Sequence, residues 1–311
     1  MTLTERVKRK ALDLGFQEVG ISRVTSDRPE AARLAGWLSR GYHGEMDWMA
    51  KTAAKRKNPA LLLPGIRAIV SLGMNYYTDD RPDDAPGQGR IARYARGEDY
   101  HRVLGRRLES LASFIQAEAP DSRSLAHVDT GAVMEKAWAQ RAGLGWIGKH
   151  SNLVSGRYGS WLLLGEVLTT ADLAPDGPGA DLCGTCTLCI SACPTGAITE
   201  PYVVDARRCL SYLTIERKGR IPTELQPALR NYIFGCDDCL DVCPYNHQAT
   251  PTTEPAFRAK PLALNPDLDA LGRQSAVEFQ EAFRGGAVRR ASHAGLRRSV
   301  AIARKNSRGA P

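Results

Sequence analysis

The chain reads as an α+β protein in three parts: a mixed α/β domain over residues 1–172, a small two-cluster ferredoxin-like domain over residues 173–250, and a short basic helical segment over residues 251–311. Three observations carry that reading. Helical and strand periodicities alternate through the first part; Pro175, Gly177, Pro178 and Gly179 then break the pattern; and all eight cysteines follow the break. At 311 residues and 43% apolar composition, the chain can bury a proper core.

Taken in order, Thr4–Leu14 has apolar residues at helical spacing, Glu18–Ser22 reads as a short strand, and Ala32–Ser39 gives a second helix. Ala68–Met74 is apolar enough for a buried strand, whereas Thr78–Gly89, rich in Asp, Pro and Gly, reads as a loop. Asp99 is placed to cap a long helix toward Ala119, with Leu104, Leu108, Leu111 and Ile115 along one stripe. Ser124–Val128 reads as a strand ending at Asp129, Glu135–Ala142 as a helix and Tyr158–Leu168 as another strand. No apolar run approaches the roughly 20 residues that a membrane helix needs, so no span is expected.

Cys183, Cys186, Cys189 and Cys193 form C-x2-C-x2-C-x3-C followed by Pro194. In that run three cysteines hold one 4Fe-4S cluster and the fourth reaches across to a second. The end of the pattern recurs, since Cys186–Pro194 aligns position for position with Cys236–Pro244. Crossed ligation then predicts Cys183, Cys186, Cys189 and Cys243 on one cluster and Cys193, Cys209, Cys236 and Cys239 on the other. Two structural zinc sites are the alternative. Zinc, however, gives no reason for a third closely spaced cysteine followed by a Cys-Pro, repeated twice. Disulfides are disfavoured because no signal peptide opens the chain, and a cytoplasmic protein is expected.

The formal charge is +8, and Arg284, Arg289, Arg290, Arg297, Arg298, Arg304, Lys305 and Arg308 account for it, with no acid after Arg284. A segment of this kind attracts a polyanion, nucleic acid first. A solvated helix face is the plainer alternative.

Two further patterns are near misses. Gly143-Leu-Gly145-Trp-Ile-Gly148-Lys149-His150 fits the dinucleotide pattern and misses the P-loop by one residue, but a helix leads into it where a strand is required. Gly143 reads instead as a helix C-cap. Asp99-Tyr-His101-Arg-Val-Leu-Gly105 is one residue too long for the D-x-H-x-x-G pattern of corrinoid proteins, so Asp99 reads as a cap and His101 as a first-turn polar residue. Asp129 is the most informative lone acid. A carboxylate at the bottom of an apolar pocket is raised by desolvation and can then donate a proton near neutral pH; helix capping is its plain alternative.

Six segments resemble the epoxyqueuosine reductase family: GYHGEMDWM at Gly41–Met49, LLPGIRAIVSLGMNYY at Leu62–Tyr77, YARGEDYH at Tyr94–His101, VDTGAV at Val128–Val133, AGLGWIGKHSN at Ala142–Asn152 and LTIERKG at Leu213–Gly219. With the cysteine array, the resemblance runs to about residue 300. It implies a nitroreductase-like N-terminal domain that binds cobalamin, served by two [4Fe-4S] clusters. The implied reaction reduces epoxyqueuosine to queuosine at the wobble position of tRNAs for Asp, Asn, His and Tyr, the last step of queuosine synthesis. Electrons would pass through both clusters to cobalt from a low-potential donor of ferredoxin or flavodoxin type.

The resemblance also implies Asp129 as proton donor beside the corrinoid, Arg56 in contact with it and, by alignment, further contacts at Ala92, Leu153, Leu164 and Ser211. Ordinary core is the alternative for the apolar positions. Arg217, Lys218 and Arg220 are the candidate tRNA-backbone contacts, with an exposed charged turn as the alternative, and a monomer is expected. The chain departs from the family where Ala132 replaces an expected Pro and Lys136 an expected Arg, and where RRASHAGLRRSVAIAR resembles only the start of a helical-repeat extension. A corrinoid reductive dehalogenase and a non-catalytic electron carrier are the rival readings.

Overall fold

A computed structural model describes residues 1–25, 28–83 and 85–308. Its central sheet has four antiparallel strands: β1 (Glu18–Arg23), β2 (Ala68–Asn75), β3 (Ser124–His127) and β4 (Leu162–Thr169), in the order β1-β2-β4-β3. Gly20 pairs with Ser71, Ser71 with Glu166 and Glu166 with His127, forming one transverse row across all four.

Helices α1 (Leu3–Asp13) and α2 (Tyr100–Glu118) contribute to the core on one face of the sheet. The predicted stripe of Leu104, Leu108, Leu111 and Ile115 is fully buried there with Val70, Leu72 and Val167. Because strand side chains alternate, Ile69 and Leu168 point the other way and meet Trp138 of α3 (Glu135–Arg141). The chain leaving α3 lies so close to β1 that a Cβ on Gly20 would sit 2.0 Å from the Ala142 carbonyl oxygen, so only glycine fits.

Element ends differ from expectation for local reasons. A capping box between Thr2 and Glu5 starts α1 at Leu3, and Pro29 in the first turn lengthens the second predicted helix to Pro29–Ser39. The strand predicted from Tyr158 begins only at Leu162. Gly159, at φ +56°, closes a turn with Ser155, whose hydroxyl accepts from the Tyr158 amide.

Packing crosses both expected domain boundaries. Leu240 and Phe257 join the N-terminal core. A second core unites Ile91 and Ala95 with Ile233 and Phe234 of the cysteine module and with Phe279, Phe283, Leu296 and Val300 of the C-terminal helices. Parallel pairing of Arg90–Ile91 with Tyr232–Phe234 ties these parts together.

The basic segment folds as α4 (Ser292–Arg308) against this core rather than trailing as a tail. Arg290 donates to both carboxylate oxygens of Glu216 at 3.0 and 3.1 Å, and Arg304 meets Asp269 at 2.6 Å. Arg298 donates to the carbonyls of Leu213, Arg217 and Gly219, each at 2.6 Å. Arg298→Met strands those carbonyls and should destabilise the fold by about 2 kcal/mol, measurable as a lower Tm. Among the described residues no helix is long and apolar enough to cross a membrane.

Candidate active site

A cavity of about 1800 Å³ opens between the N-terminus of α2, the Val128–Ala132 loop, the Trp48–Arg56 segment and the helix Leu210–Ile215, with Arg289 and Arg290 also on its lining. That is well above the roughly 300–1,000 Å³ of a site for a drug-sized ligand.

Asp129 stands on the wall at φ +42°, a left-handed conformation that costs a residue with a Cβ roughly 1–2 kcal/mol. Tyr100 Oη donates to Asp129 Oδ2 at 2.6 Å, and His101 Nε2 lies 3.2 Å from the same oxygen. His101 Nδ1 is 2.7 Å from Asp99 Oδ1, and the Tyr100 and His101 rings stack at 4.1 Å. Asp99 caps α2 as predicted, accepting from the His101 amide. That cap aims two consecutive first-turn side chains at one carboxylate.

The raised pKa that an apolar pocket would give Asp129 is not what the structure supports. Burial pushes its carboxyl up, but the hydrogen bonds from His101 and Tyr100 outweigh that push and hold it below the usual range. The side chain is also 62% exposed to the open cavity. The raised group is His101: burial pushes its imidazolium down, yet hydrogen bonds to Asp129 and Asp99 raise it to about 9. The pair therefore stores its proton on the imidazole at neutral pH. His101 escaped notice as a functional residue because its partner lies 28 positions further along the chain.

Arg56 lines the cavity and is buried. It donates to the carbonyls of Val133 at 2.7 Å and Gly131 at 3.2 Å and lies 5.3 Å from the centre of the Trp48 ring. It thus buckles the loop that carries Asp129. Ser211 also lines the cavity. Ala92, Leu153 and Leu164 do not. Ala92 donates its amide to Phe234, and Leu153 and Leu164 pack with Ala139, Leu144 and Tyr158, so all three sit in core packing.

Beside the cavity, Arg217 is held by the Arg220 carbonyl at 2.7 Å and by Glu45 at 3.7 Å, while Lys218 and Arg220 are exposed. Lys136, the departure from an expected Arg, donates to the Ser151 carbonyl at 3.0 Å and to Asn152 Oδ1 at 2.7 Å.

None of the eight cysteines is in a disulfide. Burial raises Cys189, and the charges of Cys183, Cys243 and Cys186 raise it further. Burial likewise raises Cys239, followed by Cys209 and Cys193, and Cys236 is raised by burial and by Cys239 among its neighbours. Cys239 feels Cys189 as well, so the two sets of the crossed pattern adjoin. Among the described residues no three His, Cys, Asp or Glu side chains converge closely enough to hold a single metal ion.

The glycine segment that nearly matched a P-loop braces this module. Gly143, at φ +80°, follows α3 as the expected C-cap. Trp146 Nε1 donates to Cys183 Sγ at 3.4 Å, and Lys149 Nζ donates to the carbonyls of Gly184 and Cys186 at 2.7 and 2.8 Å.

Comparison with known proteins extends this picture. A family model described as "Epoxyqueuosine reductase QueG, DUF1730" matches residues 56–130, and one for a 4Fe-4S double cluster binding domain matches residues 182–246. The epoxyqueuosine reductase of Synechocystis sp. is 46% identical over 286 residues, covering 91% of this chain and 98% of the relative. That of Escherichia coli K12 is 42% identical, covering 98% of this chain and 81% of the relative. A crystal structure of epoxyqueuosine reductase with an epoxyqueuosine-modified tRNA-Tyr stem loop superposes with TM-score 0.92 at 32% identity, covering 99% of this chain and 82% of the other. A Bacillus subtilis epoxyqueuosine reductase, solved with the aspartate-bearing catalytic loop swung out of the active site, matches with TM-score 0.91 at 31% identity, covering 99% and 82%. Likeness at that level, spanning the cavity and the cysteine array alike, places this chain in the epoxyqueuosine reductase family.

Proposed function

We propose that this chain reduces the epoxide of epoxyqueuosine in tRNA to the cyclopentene of queuosine. The observation that carries the reading is the Asp129 carboxylate, held by Tyr100 and His101 on the wall of a large cavity beside the cysteine module. Lys136, on the same wall, feels the charges of Cys239 and Cys209. The relative solved with a modified stem loop supports the substrate class. The wobble nucleotide of tRNAs for Asp, Asn, His and Tyr is the inferred target, since proteins read unstacked bases in single-stranded loops.

The cysteine groups fit two [4Fe-4S] clusters, ligated as the crossed pattern assigns. The cavity fits cobalamin, with Arg56, Asp129 and Ser211 as its inferred neighbours, and the sheet covered by helices on both faces supports a nitroreductase-like domain around it. When bound, the clusters relay single electrons and the cobalamin supplies the low-valent cobalt that the reduction needs. Two electrons and two protons enter per turnover, both epoxide C–O bonds break, a C=C bond forms and the oxygen leaves as water.

The chain's own residues supply position and protons. His101 holds a proton below about pH 9, Asp129 presents the exchanging oxygen to the cavity, and Tyr100 fixes that oxygen. Turnover should therefore fall as pH rises through about 9, where the imidazolium is lost. A pH–rate profile of kcat checks this, and a profile flat through pH 9 contradicts it.

Lys218 and Arg220 are the inferred contacts to backbone phosphates, with exposed side chains beside the cavity and Arg289 and Arg290 on its lining. That basic rim favours a polyanion over a small halogenated substrate. Lys218→Glu with Arg220→Glu should raise KM for tRNA roughly tenfold with little change in kcat, and wild-type activity should fall steeply with added salt. The donor is inferred to be a low-potential ferredoxin or flavodoxin. It would approach the cysteine group containing exposed Cys186, near exposed Leu182 and Leu188, with the chain acting as a monomer.

A further inference from the structure

Behind the Asp129 loop lies a set of polar side chains that the chemistry above leaves unused. Ser71, Glu166 and His127 stand side by side across β2, β4 and β3. They share the face on which Ile69 and Leu168, two residues away along β2 and β4, meet Trp138 of α3. Glu135 opens α3 on the same side. Ser71 and Glu166 are fully buried. Ser71 Oγ, both Glu166 carboxylate oxygens, His127 Nε2 and Glu135 Oε1 are buried and accept or donate no hydrogen bond among the described residues.

Interiors ordinarily leave few such atoms, and a charged carboxylate without a partner is far costlier there than a neutral acid. Polar atoms gathered in this way are also where an interior holds water. The row is joined to the active site through the backbone, because His127 and Glu135 flank the segment that carries Asp129. Gly131 folds so closely over His127 that a Cβ would lie 2.5 Å from Nδ1, and Arg56 fixes the same segment through the Gly131 and Val133 carbonyls.

We propose that Glu166 and Glu135 form a buried proton store that reloads the Asp129–His101 pair during turnover. The proposal rests on Asp129 as donor. Each turnover consumes two protons alongside the two electrons from the low-potential donor, and His101 carries one of them. Asp129 faces the store from its loop, Arg56 from the segment Ala53–Lys57, Lys136 from α3 and His127 from β3. Burial, then the charges of Glu135 and Asp129, raise Glu166 well above the usual range; burial also raises Glu135 to about 7 and pushes His127 down. Near neutral pH burial thus favours the neutral form of Glu166, Glu135 and His127 alike.

Infrared spectra of the purified protein at neutral pH should show the carbonyl stretch of buried protonated carboxyl, shifted on exchange into D2O, and Glu166→Gln should remove the Glu166 component of it. The same isosteric variant should lower kcat roughly tenfold, with KM for tRNA unchanged and a larger solvent deuterium effect. Absence of the band in the wild type overturns the proposal even should the variant fail to fold. So does a Glu166→Gln enzyme with wild-type kcat and pH profile. Asp129→Asn run alongside separates the two claims: an active Asp129→Asn discards the donor reading and the proposal with it, whereas an inactive Asp129→Asn beside a fully active Glu166→Gln discards only the store.

Discussion

Asp129→Asn is expected to fold, to retain both clusters, and to turn over roughly 10²- to 10⁴-fold more slowly than the wild type, the range general acid–base groups commonly supply. Asparagine tolerates the left-handed backbone at φ +42°, so the substitution tests chemistry rather than strain. It keeps an oxygen for Tyr100 but removes the charge that holds the His101 proton. The His101 titration, followed by NMR, should accordingly fall from about 9 toward its ordinary value near 6.5. The linkage has a sign: a histidine raised on folding stabilises below about pH 6.5, and that contribution is lost as pH climbs toward 9. Asp129→Asn should flatten this part of the stability–pH curve. Unchanged turnover would remove Asp129 from the mechanism.

Cys209→Ser should lower bound iron from about eight to about four per chain and abolish turnover. Cys209 is the one cysteine outside the two repeated segments, Cys183–Pro194 and Cys236–Pro244, so its role rests on the crossed count. It precedes the helix Leu210–Ile215, which carries Ser211 on the cavity wall and leads to the Arg217–Arg220 turn. Loss of the cluster should therefore loosen the cavity and the basic rim as well, because Cys209 and Cys236 pack against the buried apolar group of Leu210, Tyr212, Leu213 and Tyr232. Tm should fall with the iron content. Iron analysis that stays near eight would refute the ligand assignment, and zinc in place of iron would refute the cluster reading.

How much of this was legible in the sequence varied with the range of the interactions. The α2 stripe, the strands around Ala68 and Ser124, and the doubled cysteine pattern follow from spacings of a few residues. So does Gly143 as a C-cap. The active-site triad did not follow, because Tyr100 and His101 meet Asp129 only when the cap of α2 is brought against the end of β3. Glu166 was hidden for a related reason: it lies in an apolar run that reads simply as buried strand, and its row with Ser71 and His127 exists only through sheet register. For the basic C-terminus, charge alone leaves a polyanion site and a solvated helix face both open. In the fold, Arg298 and Arg304 engage three carbonyls and Asp269, and Arg290 pairs with Glu216 at the cavity lining, so fewer of these charges are free for the rim. Composition reports how many charges a segment has, and packing decides which of them remain available.

The most direct test uses anaerobically purified, cobalamin-supplied protein with a strong low-potential reductant and tRNA carrying epoxyqueuosine, followed by mass spectrometry of the nucleosides. Conversion to queuosine, lost in Asp129→Asn, is the predicted result. Intact epoxyqueuosine after incubation with protein that holds its iron and its corrinoid would contradict the proposed reaction.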